Sequence, residues 1–164
     1  MFKKPISSFL WLATWGFIAI LGCGDKKVVP FLGQWEGQFR VSKVGKGPDT
    51  LLEQKQYSLK GYVSIRLNKH SYTMHLEGEQ QQLDIKGTWS YSGQQVTLEP
   101  TDIKVNDDNG DKGPNPNLKY VPSEDLYNAY QKKITLKLSP DGSTLQGLTT
   151  TIAFLEGVHT FKKP

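Results

Sequence analysis

The chain has 164 residues, a net charge of +4 and one cysteine. A single cysteine excludes an internal disulfide, so the fold must hold itself by its core, and the length suits one domain with a core of useful size. No basic patch interleaves with aromatic residues, so no nucleic acid is expected as a partner.

The chain opens Met1-Phe2-Lys3-Lys4 and then runs almost uncharged from Pro5 to Gly22. Two lysines before an apolar stretch have the order of a secretory signal. The apolar core, Phe9 to Leu21, is short for a membrane span, which needs roughly twenty residues at about 1.5 Å each. It ends in Ile20-Leu21-Gly22-Cys23, which resembles the lipobox of bacterial lipoproteins over residues 1–23. The resemblance implies that the Cys23 sulfur takes a diacylglyceryl group, that residues 1–22 leave as a signal peptide, and that the new amine is acylated. Two or more acyl chains attach a protein stably where one is marginal. The expected partner is therefore a membrane, reached through the Cys23 lipid. The expected place is the cell membrane or outer membrane, facing the periplasm or exterior. Gly24 after the cysteine, with Asp25 only next, tilts the choice toward the outer membrane. Losing Lys3 and Lys4 lowers the charge from +4 to about +2.

Residues 23–30 read as a lipidated tether of at most some 25 Å, at about 3.5 Å per residue. Residues 31–164 read as the domain. Beyond Pro30 the apolar residues alternate with a period of two. Trp35, Gly37, Phe39 and Val41 share one face, and so do Tyr57, Leu59, Gly61, Val63, Ile65 and Leu67. Tyr72, Met74 and Leu76 follow an Asn68-Lys69-His70 turn. Leu83, Ile85, Gly87, Trp89 and Tyr91 come next, and a Ser92-Gly93 turn leads into Val96 and Leu98. Ile134, Leu136 and Leu138 stop at Ser139-Pro140-Asp141-Gly142, a turn by composition. Leu145 to Thr151 and Val158 to Phe161 close the set. Alternating strands with short turns predict an all-β fold, an antiparallel up-and-down barrel of about seven to eight strands. In-strand glycines favour a barrel over a sandwich, since they fall where a sheet coils.

Residues 106–133 interrupt the pattern and read as an insertion. Its end, Ser123 to Lys133, predicts one short helix, with Ser123 as N-cap, Glu124 and Asp125 at the positive end, and Lys132 and Lys133 at the negative end. Leu126 and Tyr130, four apart, mark its inner face and a candidate lid over one end of the barrel.

Gly33-Gln34-Trp35 resembles the Gly-x-Trp signature of lipocalins, in which the tryptophan closes the barrel's bottom. Gly87-Thr88-Trp89 repeats the element, a recurrence familiar in lipocalin-like lipoprotein domains. The resemblance rests on these three-residue elements alone. Both tryptophans are equally accounted for as large core residues beside space-making glycines.

Asp107, Asn109 and Asp111 have EF-hand spacing, but Lys112 and Leu118 stand where that loop needs Gly and Glu. A solvated loop is expected, and no metal site. His70 and His75 are five apart, an odd separation that opposes their side chains along a strand, and His159 is remote in sequence. Glu77 and Glu79 flank Gly78 in a turn and are expected to face solvent. No nucleophile elbow, HExxH or phosphate loop is present, so no enzyme and no cofactor are expected. The leading expectation is a non-catalytic module for a small apolar ligand, lined by Phe39, Tyr57, Val63, Ile65, Tyr72, Met74, Ile85 and Leu136. The alternative is a solid-cored barrel that binds another envelope protein through its outer face or the 106–133 insertion. Both use the same alternation, so the pattern does not separate them.

Overall fold

Strands whose side chains alternate in and out bury only one face, and closing the sheet on itself removes its edges. A computed structural model describes residues 29–45, 57–66, 70–79, 81–107 and 121–164. A 3₁₀ turn at Val29–Phe31 leads into β1 (Gly33–Val44), β2 (Ser58–Arg66), β3 (Ser71–Glu77), β4 (Gln81–Ser92) and β5 (Gln95–Asp107). The helix α1 (Ser123–Tyr130) precedes β6 (Ile134–Leu138), β7 (Thr144–Ile152) and β8 (Leu155–Lys162). Each strand pairs antiparallel with its neighbour in sequence, and β8 returns to β1, so the eight strands form a closed up-and-down barrel. The expected all-β barrel with one short helix is what the chain forms. The signal segment, Cys23 and residues 24–28 lie outside the described residues, as do 108–120 with Asn109 and Asp111.

The topology defines two ends. A proximal end carries the entry into β1, the β2–β3, β4–β5 and β6–β7 turns and the C-terminus. The distal end carries the other connections, including α1. The proximal turn at residues 139–143 is built by its own chemistry. Gly142 takes φ +73°, and the Asp141 carboxylate accepts bonds from the Ser139 and Ser143 hydroxyls and the Ser143 amide. Those bonds favour the charged form and lower the Asp141 pKa to about 2.

The barrel wall is uneven. β5 has thirteen residues and β6 only five. β6 pairs with β5 from Gln95 to Leu98 and with β7 from Leu145 to Gly147. Toward the distal end, β5 and β7 therefore run on without a strand between them. α1 fills this notch, packing against both strands. Ser123 Oγ bonds the Asp107 carboxylate at one end of the helix, and Lys133 Nζ meets Glu99 Oε2 at 3.0 Å just past the other.

Three expectations for this region are corrected. Asn106 and Asp107 belong to β5, because Gln82 and Gln81 of β4 lie opposite them in the ladder. Ser123 is the first helical residue and makes no capping bond; Pro122 is the N-cap, and the serine hydroxyl goes to Asp107 instead. Lys132 and Lys133 lie beyond the C-cap, Gln131. Glu124 and Asp125 do occupy the first turn, where the dipole favours them.

Candidate functional site

The proximal end is closed by aromatic rings. Trp35 is buried, and its indole donates to the Phe31 carbonyl at 3.0 Å, tying the 3₁₀ turn to β1. Lys163 Nζ lies 4.9 Å from its ring centroid, a cation–π distance. Trp89 donates to the Arg66 carbonyl at 2.9 Å and lies against His70 and Tyr91. Tyr91 in turn meets Phe31, so both Gly-x-Trp elements end in one aromatic floor. Their glycines act differently. Gly33 has φ +114° and open space where a Cβ would stand, whereas a Cβ on Gly87 would lie 2.1 Å from the Glu99 carbonyl and 2.6 Å from the Tyr72 ring.

The eight candidate lining residues, Phe39, Tyr57, Val63, Ile65, Tyr72, Met74, Ile85 and Leu136, all point inward, and none is more than 3% exposed. They share one cluster with Trp35, Leu98, Leu126, Tyr130 and Phe161. Tyr72 Oη is buried without a hydrogen-bond partner among the described residues, and burial raises its pKa.

At the distal end α1 drives Leu126, Ala129 and Tyr130 inward. The alternation of β8 turns Leu155, Gly157, His159 and Phe161 to the interior, which puts a histidine where an apolar residue is the rule. Tyr130 Oη and His159 Nε2 are bonded at 2.9 Å, and Thr150 Oγ1 is 3.3 Å from His159 Nδ1. A neutral imidazole donates at one nitrogen and accepts at the other, and two hydroxyls suit it. The rings of Phe39 and Phe161 lie 5.1 and 6.0 Å away. Burial pushes the His159 pKa down to about 4. It also raises that of Tyr130, with nearby Tyr57 adding to the effect.

Gln81, the first residue of β4, is buried at the same end. It accepts from Tyr57 Oη at 3.3 Å and donates to Asp107 Oδ1 at 3.1 Å and to the Val121 carbonyl. It therefore anchors the chain where it re-enters before α1. Burial raises the Tyr57 pKa, with Asp107 adding to it.

The three histidines occupy separate environments. His70 lies in the β2–β3 turn with φ +44°, His75 stacks on Tyr62 on the outer face, and His159 is inside. Glu77 and Glu79 are exposed at the β3–β4 turn. Among the described residues, no three His, Cys, Asp or Glu side chains converge as metal ligands do.

Sequence reading missed His159 and Gln81. The period that turns Leu155 and Phe161 inward also turns His159 inward, so that signal was present. Gln81 left none, since its partners come from three distant segments.

No protein family matches the chain, and no curated protein matches it. Among solved structures, the crystal structure of Rv2717c from M. tuberculosis aligns with 84% of this chain and 94% of its own, at 15% identity and a TM-score of 0.35. A likeness of that grade carries no argument about function.

Proposed function

We propose that the protein is a lipid-anchored lipoprotein of the cell envelope. Its lipocalin-like barrel is solid-cored and binds, without catalysis, through its outer surface. One observation carries the choice of outside over inside: the expected lining residues are packed to at most 3% exposure, with Leu126 and Tyr130 added to them from the notch. Interiors packed to this degree hold few voids larger than a water. The anchor rests on the order of basic start, apolar core and Ile20-Leu21-Gly22-Cys23.

The apolar-ligand reading keeps one specific support, the unpartnered Tyr72 hydroxyl. A buried polar atom of this kind calls for an explanation, and an enclosed ligand with one polar group would supply it.

Two measurements test the proposal. Labelled palmitate should enter the wild-type chain and not the Cys23→Ser variant; equal labelling removes the anchor. An apolar fluorescent probe should show no saturable enhancement with residues 24–164, which lack the apolar segment and Cys23. Saturable binding that changes in Tyr72→Phe would move the site inside.

A further inference from the structure

The outer face of β2 to β5 carries a row of side chains that the core does not need. Tyr62, His75, Asp84 and Lys104 stand opposite one another in register on four adjacent strands. Thr73, Lys86 and Asp102 form the next row. Tyr62 is 38% exposed, high for a large ring, and it stacks on His75 with centroids 5.5 Å apart and planes 28° apart. His75 Nδ1 is held by Asp84 Oδ1 at 2.7 Å. These residues enclose a hollow of about 290 Å³. A second, shallower depression opens on the other side of Tyr62 between Glu36, Gln38 and Lys60. Tyr62 lines both, which makes it the central platform of a shallow trough across the strands. At about 4.8 Å per strand, the five strands give it a length of about 20 Å.

We infer that this trough binds a neutral polyhydroxylated chain, a glycan strand, with a sugar ring laid on Tyr62. The charges select for neutrality. Glu36, Asp84 and Asp102 are matched by Lys60, Lys86 and Lys104, so the trough offers no net field to a polyanion or a polycation. The same residues alternate acceptors with donors, which suits hydroxyls, since each both donates and accepts. A peptide added as a further strand would need an open sheet edge, and β2, β3 and β4 are paired on both sides. Tyrosine supplies a rigid amphipathic contact at little entropic cost. The bond that His75 Nδ1 donates to Asp84 steadies the imidazole beneath Tyr62, so the platform is set before the ligand arrives.

The inference rests on the outer-surface reading above and names its ligand class. The test is a calorimetric titration of residues 24–164 with chitotetraose and cellotetraose, with heparin as the polyanion. At least one tetrasaccharide should bind saturably in the millimolar range or tighter, and heparin should not. Tyr62→Ala should weaken binding about tenfold or more with an unchanged melting temperature, while Tyr62→Phe keeps most of it. No binding of either sugar, equal binding by Tyr62→Ala, or heparin binding that salt abolishes would each overturn the inference. Entry of the apolar probe into the interior would instead overturn the outer-surface reading, and sugar binding at Tyr62 would stand without it.

Discussion

His159 shows what a single residue contributes when the strand period places it against its nature. Its pKa falls from 6.5 unfolded to about 4 in the barrel because burial opposes the charge. The unfolded chain then binds the proton more readily, so stability is full above pH 6.5 and falls as pH drops toward 4. At about 1.4 kcal/mol per pH unit, roughly 2 kcal/mol should disappear between pH 7 and 5. Urea titrations at the two pH values check this, and His159→Gln should flatten the difference. An unchanged difference would assign the pH dependence to other groups. Gly87 makes the steric counterpart. A Cβ there meets the Glu99 carbonyl at 2.1 Å, which is backbone and cannot step aside, so Gly87→Ala should cost about 1–3 kcal/mol in denaturant. A loss within about 0.5 kcal/mol, the scale of a surface change, would mean that the strands separate easily at this point. Gly87 was legible as a position of interest beside Trp89, but its reason lay in a neighbouring strand that local spacing does not reveal.

At the scale of elements, the strands were legible because a period of two is a local property, and nearly every inward residue read from it is buried. The helix was legible for the same reason, through Leu126 and Tyr130. Its place was not. That β6 is too short for its neighbours becomes visible only once β5 and β7 are paired to it, and those pairings span some fifty residues of chain. A helix over a mouth could be removed and leave the barrel whole, whereas a helix that completes the wall could not. Isolated helices shorter than about 12–15 residues are marginal in water, so α1 exists by virtue of its notch, and the notch is dry by virtue of α1. Leu126→Ala should therefore cost about 2–5 kcal/mol, and deletion of 108–131 should abolish cooperative unfolding. A deleted chain that still melted in one sharp transition would make the helix a cover and restore the lid.

The whole molecule is a barrel with two unlike ends, and the difference decides how an anchored domain would stand. Alternation announced a barrel but left its interior undecided, because a packed core and an open cup use the same inward residues. The unlike ends arise from contacts distant in sequence: Phe31, Trp35, Tyr91 and Trp89 meet at the proximal end, and Tyr57, Gln81, Tyr130 and His159 at the distal end. The chain enters β1 at the aromatic end. If Cys23 carries lipid, the residues before Val29 reach about 20 Å when fully extended, so the proximal turns face the bilayer and α1 faces away from it. The trough beside Tyr62 runs around the wall between the two ends, open to the side. Cysteines introduced at Gln94, in the proximal β4–β5 turn, and at Glu124, on the exposed side of α1, report this orientation. With the lipidated protein on vesicles, a bulky maleimide should label Gln94→Cys several-fold more slowly than the same variant in detergent. Glu124→Cys should react alike in both. Equal slowing at the two positions would mean that the domain lies on its side, and no slowing at either would mean that the tether holds it clear of the membrane.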